Sequence, residues 1–218
     1  MEEKIKKGDF IEVDYTGRVE GNIFDTTDEK TAKKLGIFNP TFPYGRIIVC
    51  VGEGHLLKGL DKEIEGREIG KEYIIKLGPE SAFGKKDASL IKLIPQGKFK
   101  SQGVEPKPGM TVNIDNRLAV IKSAGGGRVL VDFNHPLAGK EVEYTIKATK
   151  KITNTDEQVA AIIIMELNLN KDAYEFKIEG ENAKLRFKKD LKLPKEFQQE
   201  IARKIENLTQ IKKVNVED

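Results

Sequence analysis

Side chains suited to bond-making chemistry are scarce in this chain. It holds two histidines, His55 and His135, a single cysteine, Cys50, and no tryptophan. A zinc site built from cysteine and histidine needs several such ligands at short spacings, and this sequence lacks them. Cys50 stands in Ile47-Ile48-Val49-Cys50-Val51 and reads as a small buried side chain of an apolar strand. A lone cysteine excludes an internal disulfide and fits a reducing cytoplasm. The run Gly125-Gly126-Gly127 is no phosphate loop, because a strand follows where phosphate binding wants a helix N-terminus. Neither a metal nor a cofactor is expected.

Composition narrows the remaining classes. A chain of 218 residues points to two or three modules. Lys+Arg 38 against Asp+Glu 35 leaves a net charge of +3, too balanced to suggest nucleic-acid binding. Val159-Ala160-Ala161-Ile162-Ile163-Ile164-Met165 is the longest apolar run and is far too short to span a membrane. The N-terminal Met1-Glu2-Glu3-Lys4-Ile5-Lys6-Lys7 is charged where a signal peptide needs an apolar stretch. A cytoplasmic protein is expected.

The elements are read from hydrophobic period and turn residues. Phe10–Gly21 is a strand turning at a glycine, and Ile23–Thr27, with Asp25 and two threonines, suits a turn or bulge. Residues 32–42 read as a loop, and Arg46–Val51 as a strand. Leu56–Ile64 is a short amphipathic helix closed by Gly66, and Glu72–Leu77 a further strand. This β-rich region stops at Ala82-Phe83-Gly84 with its sheet incomplete. Well downstream, Asn134-His135-Pro136-Leu137-Ala138-Gly139-Lys140 leads into the alternating strand Glu141-Val142-Glu143-Tyr144-Thr145-Ile146. One domain has been opened at a loop and another inserted. The insert holds Ser89–Pro95 and three strands, 110–114, 117–122 and 128–133, the last two joined as a hairpin. After a boundary near 151–156 come a helix at 156–167 capped by Thr155 or Asp156, strands 174–179 and 183–188, a helix at 194–208 and a strand at 211–216. Phe197, Ile201, Ile205 and Leu208 fall on one face of the second helix.

Several of these segments carry a resemblance. Val13-Asp14-Tyr15-Thr16-Gly17, Ile23-Phe24-Asp25-Thr26-Thr27 and Gly52-Glu53-Gly54-His55-Leu56-Leu57-Lys58-Gly59-Leu60 resemble the FKBP family of peptidyl-prolyl isomerases, in that family's order. Ala82-Phe83-Gly84 is similar to its penultimate loop, and Tyr144 falls where it places an aromatic on the last strand. The insertion before Asn134 resembles the SlyD-type subgroup, with its insert-in-flap chaperone domain. Residues 5–152 carry the match, and 153–218 resemble the extra C-terminal domain of long archaeal members.

The resemblance implies an α+β fold: an antiparallel half-barrel wrapped on a short helix, an inserted small all-β domain and a C-terminal α-β-β-α-β sandwich. The implied domains are 1–84 with 134–152, 85–133, and 153–218. It further implies a prolyl isomerase whose apolar cavity is lined by Tyr15, Phe24, Leu56, Leu57, Leu60, Phe83 and Tyr144, with Ile47 or Val49 completing a wall. Asp25 belongs at the rim, in reach of Tyr15, with the Leu57 N–H holding a substrate carbonyl. Taken singly, each aromatic reads as ordinary core, and Asp25 as an Asx turn with Thr27. Leu60 stands where the family often has tryptophan, and Phe83 where a tyrosine can donate its hydroxyl.

In the insert, Ile91, Leu93, Ile94, Phe99, Val104, Met110, Val112, Val120, Val129 and Val131 are too many apolar residues for so small a module to bury. An exposed groove for unfolded, proline-containing chains is expected. Apolar residues on more than one face of the 156–167 helix point to an interface and a homodimer. Lys184-Leu185-Arg186-Phe187-Lys188-Lys189 reads as a solvated strand face rather than an RNA site. SlyD's nickel-binding histidine tail is absent from this sequence. The competing reading is a holdase that keeps the fold with little catalysis.

Overall fold

The computed structural model describes residues 3–188, 191 and 193–217. Met1, Glu2 and Lys189, named above, lie outside the described residues. The chain divides into two compact units, Met1–Leu77 with Val142–Asp218, and Gly78–Glu141.

The first unit is organised on the ten-residue strand β1 (Phe10–Val19), whose burial alternates along its first half. Glu20 and Gly21, both at positive φ (50° and 81°), turn the chain into β2 (Asn22–Thr26). Two successive left-handed residues match the twist of a tight hairpin. The segment read as a turn or bulge is a strand that carries a bulge: Gly17 pairs with Asp25 and Arg18 with Ile23, which leaves Phe24 as the extra residue. Strand β3 (Ile47–Cys50) pairs with the start of β1, helix α2 (Lys58–Ile64) follows, and β4 (Glu72–Leu77) ends the first passage. The missing strand arrives as β9 (Val142–Lys151), antiparallel to both neighbours in the order β2-β1-β9-β4. Leu60 and Ile64 are buried from α2.

One helix escapes the sequence reading. Residues 32–42 read as a loop, yet α1 (Glu29–Leu35) occupies the start of that stretch. Asp28 caps it by accepting from the Thr31 N–H at 2.7 Å, and Gly36, at φ 70°, closes it. Caps rather than hydrophobic period define so short a helix.

The C-terminal segment follows the expected element order: α4 (Thr155–Leu167), β10 (Tyr174–Glu179), β11 (Asn182–Phe187), α5 (Lys195–Leu208) and β12 (Lys213–Glu217). The α4 cap is Asn154, accepting from the Glu157 N–H at 3.0 Å, not Thr155 or Asp156. Strand β12 runs parallel to β11, so the three-stranded sheet is mixed. On α5, Ile201 and Ile205 are buried, but Phe197, in the first turn of the same face, is 53% exposed and so not part of the core as expected. The boundary near residue 152 is not a break in packing. Val159, Ile162 and Ile163 of α4 share one core with Phe10, Cys50 and Ile152, and with Leu185, Phe187 and Ile205. Most of the apolar run of α4 is thus covered by its own chain, while Ala160, Ile164 and Met165 stay half-buried.

In the second unit, β5 (Ile91–Pro95), β6 (Thr111–Ile114), β7 (Arg117–Gly125) and β8 (Arg128–Asp132) form an antiparallel sheet in the order β5-β8-β7-β6. It is not purely β, because α3 (Gln96–Lys100) drops Phe99 into the core against Ala119, Ile121, Val129 and Val131. Asn134 clamps the two strands of chain that enter and leave this sheet. Its amide Oδ1 accepts from the Asp87 N–H at 2.9 Å, while Nδ2 donates to the Asp87 carbonyl (2.9 Å) and to Asp132 Oδ1 (2.8 Å).

Removing a buried amide with several partners leaves those groups unsatisfied. Asn134→Ala should therefore destabilise this unit by about 2–3 kcal/mol. Hydrogen exchange should register the loss at amides of β5 and β8 and leave β1 and β9 protected.

Candidate active site

Strand register assembles the site. Gly17 of β1 lies opposite Asp25 of β2 on one side and opposite Tyr144 of β9 on the other. A Cβ on Gly17 would meet the Tyr144 ring at 2.8 Å and the Phe24 ring at 3.0 Å. The missing side chain lets the Tyr144 ring lie across the strand, where its hydroxyl donates to Asp25 Oδ2 at 3.0 Å. A glycine inside a strand that another group approaches closely is what such a crossing requires.

Three aromatic rings meet there. Tyr144 contacts Tyr15 edge to face, with centroids 5.7 Å apart, and Phe24 likewise at 5.8 Å. Tyr15 is fixed through its backbone: its N–H donates to Thr27 Oγ1 at 3.0 Å, and its carbonyl accepts from the Thr27 N–H at 3.0 Å. Asp25 lies in reach of both tyrosines: it accepts from the Tyr144 hydroxyl, and its charge also acts on Tyr15. The Asx reading with Thr27 is corrected, because the Thr27 N–H and hydroxyl are bonded to the Tyr15 backbone.

Burial dominates the electrostatics. It holds the Asp25 carboxyl above the ordinary range, partly offset by the bonds it accepts from Tyr144 and the Thr26 N–H. Burial, reinforced by the Asp25 charge, pushes both Tyr15 and Tyr144 well above the usual phenol value. Tyr144 therefore stays a donor at any working pH. Cys50 is fully buried and its thiol is pushed up to about 12, so it is inert packing rather than a nucleophile.

The remaining predicted residues separate into groups. Leu56 and Leu60 are buried and Leu57 half-buried at the start of α2. Among the described residues nothing accepts from the Leu57 N–H. Val49 is fully buried against β1, and Ile47 borders a different cavity of about 330 Å³ shared with Ile48, Ile164 and Met165. Phe83 belongs to the second unit, where it stacks on His135 at 4.5 Å.

In that unit Ile91, Leu93 and Met110 are exposed, and Ile94, Val104 and Val120 half-buried. Phe99, Val129 and Val131 are core, so the expectation that they meet a client at the surface is corrected. The most exposed large apolar side chain is Leu118, at 71%, which sequence reading missed. A groove of about 550 Å³ is lined by Leu93, Ile94, Ile114 and Phe133, rimmed by Lys92, Lys98 and Arg117. Among the described residues no group of three or more His, Cys, Asp or Glu is placed to hold a metal, and no helix is long and apolar enough to cross a membrane.

Known proteins are similar to this chain in sequence. Residues 1–99 match the family described as FKBP-type peptidyl-prolyl cis-trans isomerase, and residues 92–137 match the FKBP26 IF domain. A short-type peptidyl-prolyl cis-trans isomerase of Methanocaldococcus jannaschii is 39% identical over 143 residues, covering 66% of this chain and 91% of the relative. SlyD proteins, named as FKBP-type isomerases, match from Haemophilus influenzae (28% identity, 66% of this chain and 77% of the relative). Another from Helicobacter pylori is 31% identical, covering 51% of this chain and 62% of the relative.

Two substitutions test the geometry. Gly17→Ala should cost about 1–3 kcal/mol of stability by overpacking the ring contact, measured by chemical denaturation. Asp25→Asn should be more stable than the parent at neutral pH, because a carboxyl with a raised folded pKa loses stability on ionising. The sign follows from linkage: between the unfolded and folded values the native state binds more protons, so stability falls as pH rises. The advantage of Asp25→Asn should shrink as pH drops through the raised value.

Proposed function

Because this chain belongs to the FKBP-type peptidyl-prolyl cis-trans isomerases, we propose that Tyr15, Phe24, Asp25 and Tyr144, with Leu56, Leu57 and Leu60, form the pocket in which it turns X–Pro bonds. The reaction rotates a bond without breaking one, against a barrier of about 20 kcal/mol. Neither nucleophile nor metal is needed. The planar amide is polar through resonance; the twisted transition state has lost that charge separation. An apolar, water-poor cavity therefore favours the twisted form over the planar one. Lowering the barrier by about 4 kcal/mol gives roughly a thousandfold acceleration.

The observation that carries this reading is the Tyr144–Asp25 bond of 3.0 Å inside the ring cluster. It ties up the Tyr144 hydroxyl, so this donor does not hold the substrate amide in its polar planar state. The Leu57 N–H is the donor left for a neighbouring substrate carbonyl, which orients the chain without opposing the twist. Phe83 is assigned to the pocket by family resemblance alone.

The insertion is read as a client-binding module acting on unfolded, proline-containing chains. Its exposed Leu118, Leu93 and Met110 and the groove beside Leu93 support this, since a small domain gains nothing by exposing them. The lone buried cysteine supports a cytoplasmic setting. A holdase with little catalysis is the second reading, favoured by Leu60 and Phe83 where the family often has tryptophan and tyrosine.

Proline-limited refolding of a protein substrate separates the two readings. The full chain at catalytic concentration should accelerate the slow phase. A variant lacking residues 86–132 should lose most of that acceleration yet keep turnover of a proline tetrapeptide. Equal losses in both assays overturn the division of labour, and no acceleration by the full chain favours the holdase.

A further inference from the structure

The loop between β3 and α2 presents Leu56 and Leu57, and it is held from two directions. From α2, Asp61 accepts from the Gly52 N–H at 2.9 Å and from the Gly54 N–H at 3.0 Å. Both glycines sit at positive φ, 90° and 75°, as so tight a wrap around one carboxylate demands. The second hold comes from His55, whose side chain is 4% exposed. Its Nδ1 accepts from the Cys50 N–H at 3.0 Å.

An Nδ1 that accepts carries no proton, so the neutral ring has its hydrogen on Nε2. Nε2 lies 3.4 Å from Glu166 Oε1. The same oxygen accepts from Lys204 Nζ at 2.5 Å. Glu166 stands on α4 and Lys204 on α5, both in the C-terminal segment. A relay of contacts thus runs from the C-terminal helices to the residue directly before Leu56. The shared core of Phe10, Cys50, Ile152 and α4 makes that connection firm.

We propose that Glu166 and Lys204 are positioning residues for the prolyl-turning pocket: through His55 they fix the loop that presents Leu56 and the Leu57 N–H. The C-terminal segment is then a structural part of the isomerase site. This inference rests on the reading that Leu56 and Leu57 line the pocket. The groups facing His55 are Glu166 and Lys204 from α4 and α5, Asp61 from α2 and the Cys50 backbone from β3. Burial and Lys204 disfavour the charged ring, Glu166 and Asp61 favour it, and burial dominates. A second proton would have to sit on Nδ1, which breaks the Cys50 bond. Stability linked to His55 is therefore present above about pH 6.5 and is lost as pH falls toward its lowered folded value.

The test uses the full chain and its Glu166→Leu and Glu166→Gln variants. Three quantities are read: tetrapeptide turnover as kcat and KM, backbone amide shifts by NMR, and thermal stability. Glu166→Leu should raise KM about tenfold with a smaller change in kcat, since misplacing a carbonyl-holding group weakens productive binding. Amides of residues 53–57 should shift, while those of Gly17 and Asp25 stay in place. Glu166→Gln, which keeps an acceptor for Nε2–H, should recover most of the KM. Unchanged amides at 53–57 with unchanged KM overturn the proposal. A loss of turnover that tracks thermal stability and is not recovered by Gln also overturns it, because that outcome belongs to a merely structural role. Absent turnover in the parent chain would sink the pocket reading instead, and the 53–57 shifts would still decide the positioning.

Discussion

The pairing of β9 between β1 and β4 is the interaction on which the rest of this structure depends. It closes the first unit's sheet with a strand that reaches the fold only after the whole insertion has been threaded. Closing a loop of that length costs entropy that grows only slowly with length, so a folded insert adds little penalty. Asn134 limits it further by clamping the chain where it enters and leaves the inserted sheet. The same strand carries Tyr144. Sheet closure and completion of the aromatic cluster are therefore one event, and a chain without β9 would have neither.

The site follows from that closure by subtraction. Gly17 supplies an absent Cβ, so a tyrosine from one neighbouring strand can reach a carboxylate on the other across the strand between them. Burying Asp25 costs solvation, visible in its raised pKa, and the Tyr144 hydroxyl offsets part of that cost. Beside the bond, the rings of Tyr15 and Phe24 pack on Tyr144. Such a place suits a reaction whose transition state sheds charge separation.

The C-terminal segment changes meaning in this light. It shares a core with β1 and β3, and its helices approach the loop before α2 through His55. Burial on two sides of α4, which in sequence looks like a surplus apolar face, is the signature of that fusion. Sequence patterning was a good guide to strands and to the long amphipathic α5, because period and turn residues report directly on local geometry. It failed where tertiary contacts decide. The α1 helix is too short for period and is defined by Asp28 and Gly36. Val129 and Val131 alternate as any strand residues do, and only packing against Phe99 makes them core. Leu118 lies exposed although its residue type argues for burial. For the proposed site, family order singled out Tyr15, Phe24, Asp25 and Tyr144, which the structure brings together, but the partner of Asp25 depends on register across Gly17, which one chain's pattern does not encode. A glycine amid a strand was the available signal.

The central claim is that the Asp25–Tyr144 bond organises the pocket for isomerisation. A double-mutant cycle on kcat/KM for a proline tetrapeptide tests it most directly, using Asp25→Ala, Tyr144→Phe and the double variant in the full chain. If the two side chains act as one unit, each single change should reduce turnover and the double variant should be little worse than either. Additive losses, or single variants with parental turnover, would contradict the account.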